Sequence, residues 1–143
     1  MKQEMKQEMK REILFRGKRT FCNEWVFGDL GHYPDRTKID THENGQPWRG
    51  YDVFPETVGQ FTGLTDKNGD KIFEGDIVAI IGRKCIQHSV VKYYRGSLYV
   101  DFQDHPGYGK RKVPLYDFTN NVSFVVIGNI HDNPELLEGG VEK

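Results

Sequence analysis

From Glu12 onward the chain alternates short apolar runs with breaks of Gly, Pro, Asn and charge, and no long stretch carries helical spacing. EILFRG (12–17) and EWVFGDL (24–30) read as two strands joined through KRTFCN. KIDTH (38–42) and WRGYDVF (48–54) read as a second pair joined through ENGQP, where Asn44-Gly45 can supply the positive φ angles of a hairpin turn. A third group holds GDIVAII (75–81), HSVVKYY (88–94), SLYVDF (97–102) and VSFVVIGNI (122–130), broken at Gly82-Arg83, Arg95-Gly96 and the loop DHPGYGK. These are β-branched and aromatic residues at strand lengths, which predicts a mainly β, all-β fold. Only the C-terminus signals a helix, with Asn133 as N-cap, Pro134 at the first position, Glu135 in the first turn and Gly139 past Leu136-Leu137. It predicts a turn or two.

The first ten residues, MKQEMKQEMK, repeat with period four and are too short for a stable isolated helix, so 1–10 is expected to be a flexible extension. The ordered part is expected to be a single domain over 11–137, with 138–143 a tail; 143 residues suit one core. Nine Phe, seven Tyr and two Trp let that core close with few side chains.

The stretch FTGLTDKNGDKIFEGDIVAII (61–81) raises a question of chemistry. Asp66, Asn68 and Asp70 fall at the first, third and fifth places of a calcium loop. The sixth place, which needs Gly, holds Lys71, and the twelfth, which needs a bidentate Glu, holds Ile77, so an ion is rejected. A phosphate loop fails as well, since Gly63 to Gly69 is one residue too long and Asp70 stands where Lys is needed. A hairpin accounts for the residues: Asn68-Gly69 at the centre of a type I′ turn pairs Lys67 with Asp70, Asp66 with Lys71, Thr65 with Ile72 and Leu64 with Phe73. Gly75 then supplies a free backbone angle, and Asp76 a side-chain oxygen for nearby amides, before the buried strand IVAII.

Three blocks, REILFRGKR…EWVFGDL, QFTGLTDKNGDKIFEGDIV and VIGNIHDNPELL, in that order from Arg11 to Leu137, resemble the YopX-like proteins of phages and prophages. The resemblance implies a mostly β protein whose later part, about 58–131, is an SH3-like barrel following an additional N-terminal β region. It brings no agreed activity and no catalytic residues. MKQEMKQEMK and DHPGYGKRK lie outside the blocks.

No motif points to an enzyme, a cofactor or a metal. His32, His42, His88, His105 and His131 have no metal-ligand spacing with one another or with Cys22 and Cys85. Cys85 and His88 do not make a nucleophile and base, and Glu74 and Asp76 flank a turn glycine. Two distant cysteines suit free thiols in a reduced compartment, and IVAII and FVVI are strand-sized, so a soluble cytoplasmic protein with no membrane span is expected.

Charge is uneven although the net is only −1. Residues 77–100 carry four cations and no acid, while 24–60 carry seven acids against three bases. Arg83, Lys84, Lys92, Tyr94, Arg95, Lys110, Arg111 and Lys112 therefore form a candidate nucleic-acid contact set, with Tyr93, Tyr99 and Tyr108 interleaved. The alternative is that alternate Tyr rings fill the core while the cations stay solvated. On sequence alone the leading expectation is a non-enzymatic phage or prophage accessory protein that binds another macromolecule, protein before nucleic acid, with self-association as a further option. A weak single-strand binder is the runner-up.

Overall fold

In the computed structural model, described for residues 12–41, 49–82, 85–104, 107–115 and 122–137, the chain is built from antiparallel strands with two short 310 turns. The expected extension 1–10, the Asn44-Gly45 turn, Arg83, Lys84 and the tail 138–143 lie outside the described residues. Chain contacts cluster into two compact units that divide between Gly63 and Leu64, where a single domain is expected from sequence.

The first unit contains β1 (Phe15–Lys18), β2 (Trp25–Tyr33), β3 (Arg36–Thr41), β4 (Arg49–Asp52) and most of β5 (Gly59–Thr65). β1 pairs antiparallel with β2 and β3 with β4, as the apolar runs predict, and β2 also pairs with β3 through a turn at Pro34-Asp35 that the runs do not mark. The strands then return on themselves: Thr20 N donates to Asp52 O at 3.0 Å, Phe54 N to Lys18 O at 2.9 Å and Val53 N to Thr37 O at 3.0 Å. A segment bonded to both β1 and β3 closes the edge that an open four-stranded sheet would leave. Ile39 and Val53 are thereby fully enclosed. The tight closure needs glycine at two strand positions. A Cβ on Gly17 would lie 3.0 Å from the Val53 side chain, and one on Gly28 would clash with the backbone oxygen of Asp40.

The second unit holds two three-stranded antiparallel sheets. One has the order β12 (Ser123–Asn129), β7 (Asp76–Ile81), β8 (Ile86–Val90); the other has β11 (Arg111–Pro114), β10 (Ser97–Phe102), β9 (Lys92–Tyr94). Their shared core is Ile72, Val78, Ile80, Val91, Val100 and Leu115, flanked by Leu98, Phe102, Val122, Phe124 and Val126. Side chains stitch β8 to β10. The buried Gln87 amide donates to Gln103 O at 2.7 Å and accepts from Gln103 N at 2.9 Å, while Ser89 Oγ accepts from Asp101 N at 2.9 Å. Gln87 thus offers the donor and acceptor that a neighbouring strand backbone would.

The hairpin leading into β6 (Lys71–Phe73) departs from the predicted turn. Gly69 takes φ 87°, but Asn68 is not at positive φ, so the turn is not type I′. Gly69 N donates to Asp66 O at 3.0 Å and Asp66 N to Asp70 O at 2.8 Å. This is a three-residue loop with glycine in the left-handed position, and it shifts the register by one: Asp66 faces Asp70 rather than Lys71. The physical reason is the Asp66 carboxylate. It is buried, with Oδ1 accepting from the amides of Asn68 and Asp70, both at 2.9 Å, and Oδ2 accepting from Val126 N in β12 at 2.9 Å. Burial alone would raise the Asp66 pKa, but the amides of Val126, Asp70, Asn68 and Gly69 outweigh it and hold the pKa below the ordinary 3.8. Lys67 N donates to Phe124 O at 3.0 Å, so the loop tip seals part of the β12 edge.

Gly75 and Asp76 act as expected. Gly75 has φ 87°, and the fully buried Asp76 accepts from Phe73 N at 2.7 Å. Their backbones also bond Val91 and Ile130. At the C-terminal block, Asn129 Oδ1 accepts from His131 N and Asp132 N. Asn133 Oδ1 accepts from Asn129 N at 3.3 Å, so the side chain expected to cap the following helix serves the preceding turn instead. The helix is a single 310 turn, Pro134–Leu137.

Candidate nucleic-acid interface

Strand alternation on β10 decides which side chains reach solvent. Val100 is fully buried and Leu98 and Phe102 pack on the core, so Ser97, Tyr99 and Asp101 project from the opposite face. Residues directly opposite in the ladder share a face. Tyr94 faces Ser97, Lys92 faces Tyr99, and Lys112 faces Asp101. The outer face of the β9–β10–β11 sheet therefore carries Lys92, Tyr94, Tyr99, Asp101 and Lys112.

The turn from β9 to β10 adds Arg95. Arg95 at φ 49° and Gly96 at φ 83° connect the paired residues Tyr94 and Ser97. Here is the two-residue turn with both φ angles positive that sequence places at Asn68-Gly69. It sets the Arg95 guanidinium 5.3 Å from the centre of the Tyr94 ring. Tyr94 and Tyr99 meet edge to face at 5.6 Å, and Lys112 Nζ lies 5.2 Å from one ring centre and 5.5 Å from the other. Each exposed cation–ring contact is worth about 0.5–1 kcal/mol, enough to order the cluster without burying its charge.

The reading that alternate Tyr rings fill the core does not hold for Tyr93, Tyr94 or Tyr108. Tyr93 is 63 %, Tyr94 44 % and Tyr108 65 % exposed, and Tyr99 is half-buried. β9 is only three residues long and, among the described residues, lies at the edge of its sheet beside β10. Of the candidate cations, Lys92, Arg95, Lys110 and Lys112 are exposed on this sheet or the loop entering it. Arg111 is tied by a two-pronged bond to Asp104, at 2.6 and 3.0 Å.

Among the described residues no group of three or more His, Cys, Asp or Glu is placed to hold a metal ion, and no helix is long and apolar enough to cross a membrane. His88 Nδ1 lies 3.0 Å from Leu136 O and so ties β8 to the C-terminal turn. Cys22 and Cys85 are both free and exposed.

A family model described as YopX protein matches residues 14–138, most of the chain. The chain belongs to the YopX family. The crystal structure of protein EF1440 from Enterococcus faecalis is similar at a TM-score of 0.55 and 25 % identity, over 90 % of this chain and 100 % of that one. No curated protein matches. Within the matched residues, the side chains of Asp66 and Asn129 order the backbone at two chain reversals.

Proposed function

We propose that this YopX-family protein is a non-enzymatic binding module of phage or prophage type, and that the outer face of β9–β10–β11 takes single-stranded nucleic acid. The observation that carries the reading is the Tyr94–Tyr99 pair with Lys112 and Arg95 laid against it and Lys92 beside it. Rings with free area can stack bases, and cations at their margins can neutralise the phosphates between those bases. A protein partner ranks first on sequence alone, on exposed strand edges, opposed charge fields and the reading that alternate tyrosines face inward; the exposed rings weigh against the last of these and support the nucleic-acid reading. Net charge of −1 gives no long-range attraction, so the affinity expected is micromolar. We read the two packed sheets of the second unit as an SH3-like barrel, and the exposed free thiols as suited to a reducing cytoplasm.

Fluorescence anisotropy with a labelled single-stranded oligonucleotide tests this. Binding should weaken about tenfold for a threefold rise in salt, given a slope of about −0.7 for each of roughly three phosphate contacts. The Lys92→Glu/Arg95→Glu double variant should keep its fold and lose the binding. Absence of salt-sensitive binding in the wild type, or binding unchanged in the double variant, would return the protein-partner reading to first place.

A further inference from the structure

On the central strand of the basic and aromatic face, Asp101 has no counter-ion among the described residues. It is the ladder partner of Lys112, and opposite charges facing each other across antiparallel strands ordinarily pair. Here the Lys112 ammonium leans instead over the Tyr94 and Tyr99 rings. Arg111, the other cation on β11, is held by Asp104. The Asp101 backbone is pinned by the bond from its amide to Ser89 Oγ, and its side chain is half-exposed. The face thus presents one carboxylate on a pinned stretch of backbone, two residues along β10 from Tyr99 and opposite Lys112. A carboxylate repels phosphate, so on a surface that otherwise attracts phosphate it calls for a ligand group that donates hydrogen bonds.

We propose that Asp101 is a base-reading residue, which selects guanine at the position beside the Tyr94–Tyr99 pair and disfavours thymine or uracil. This rests on the proposal that the face binds single-stranded nucleic acid. The Watson–Crick edge of guanine offers two adjacent donors, N1–H and N2–H, which match the two oxygens of one carboxylate. Adenine and cytosine offer an amino group beside an acceptor nitrogen. Thymine and uracil offer a single N–H flanked by two carbonyl oxygens, which face a carboxylate unfavourably. An unstacked base lying on the Tyr rings exposes that edge, as single-strand recognition generally requires.

The experiment compares a ten-nucleotide oligothymidylate with the same oligomer carrying one central guanine or one central hypoxanthine, by anisotropy at low salt. The wild type should bind the guanine oligomer about fivefold more tightly than oligothymidylate, the low end of a bidentate base contact, with hypoxanthine between them because it lacks the N2 donor. Asp101→Asn and Asp101→Ala should bring the guanine preference to within about twofold while oligothymidylate binding holds or strengthens, since a negative charge has gone from a phosphate-binding face. Circular dichroism melting of each variant reports whether the fold is kept, and Asp101→Glu should retain part of the preference. Salt-sensitive binding of all three oligomers within twofold in the wild type would overturn the role of Asp101 and leave the nucleic-acid reading standing. Absence of binding to any of them would overturn both.

Discussion

The carboxylate of Asp66 accepts the backbone amide of Val126 at 2.9 Å across 60 positions of sequence, and its other oxygen organises the loop from which it springs. One side chain therefore shapes a turn and docks it on β12. Replacing Asp66 by Ala leaves three amides without their acceptor in a partly buried setting. The expected loss is about 2–3 kcal/mol, measured by urea denaturation. A loss below about 0.5 kcal/mol would show that water replaces the carboxylate at no cost. The same occupied oxygens predict no heat above dilution on calorimetric titration with calcium.

The pH dependence follows from the same group. Asp66 has a folded pKa below the ordinary 3.8, so the folded state binds its proton less readily than the unfolded state does. Its contribution is present in full above about pH 4 to 5 and is lost as pH falls through 3.8 toward the folded value. Wild type and Asp66→Asn should therefore differ most in stability near neutrality and converge as the solution is acidified. A constant difference across that range would assign the stabilisation to something other than the ionised carboxylate.

At the β9–β10 turn, Arg95 occupies φ 49°, a conformation unfavourable for a long side chain and well suited to Asn. Arg95→Asn should raise stability by about 0.5 kcal/mol. Gly96→Val and Gly69→Val should each lower it by more than about 1 kcal/mol, because a β-branched residue resists positive φ. Asn68→Ala should be milder than either, since Asn68 is not at positive φ. Thermal melts of the four variants rank these effects, and equal losses at positions 68 and 69 would restore a type I′ turn there.

Gln87→Ala removes both bonds to the Gln103 backbone from a buried position, and about 2–3 kcal/mol is the expected cost. Amide hydrogen exchange should rise at Gln103 N. Protection unchanged at that amide would mean that the side chain does not hold β8 to β10.

Most strands and the all-β class were legible in the sequence because β-branched and aromatic runs with glycine breaks are local signals, whereas β11 lies outside those runs and HSVVKYY divides into β8 and β9. Gly75 and Asp76 were legible for the same reason, since a turn and its first acceptor lie within three residues of each other. What the tertiary structure alone decided lies at long range. The turn at Asn68-Gly69 has ideal local chemistry for type I′, yet Asp66 recruits amides from its own loop and from Val126, and that set of bonds selects a different loop and register. The type I′ geometry appears at Arg95-Gly96, where the pairing of Tyr94 with Ser97 across a two-residue connection requires it. The exposure of Tyr93 and Tyr94 could not be read from alternation, because alternation says which residues share a face and only the neighbouring strands say whether that face is covered. Asp101 escaped notice for a related reason: a carboxylate between cations reads as a paired ion until the position of the Lys112 ammonium over two rings is known.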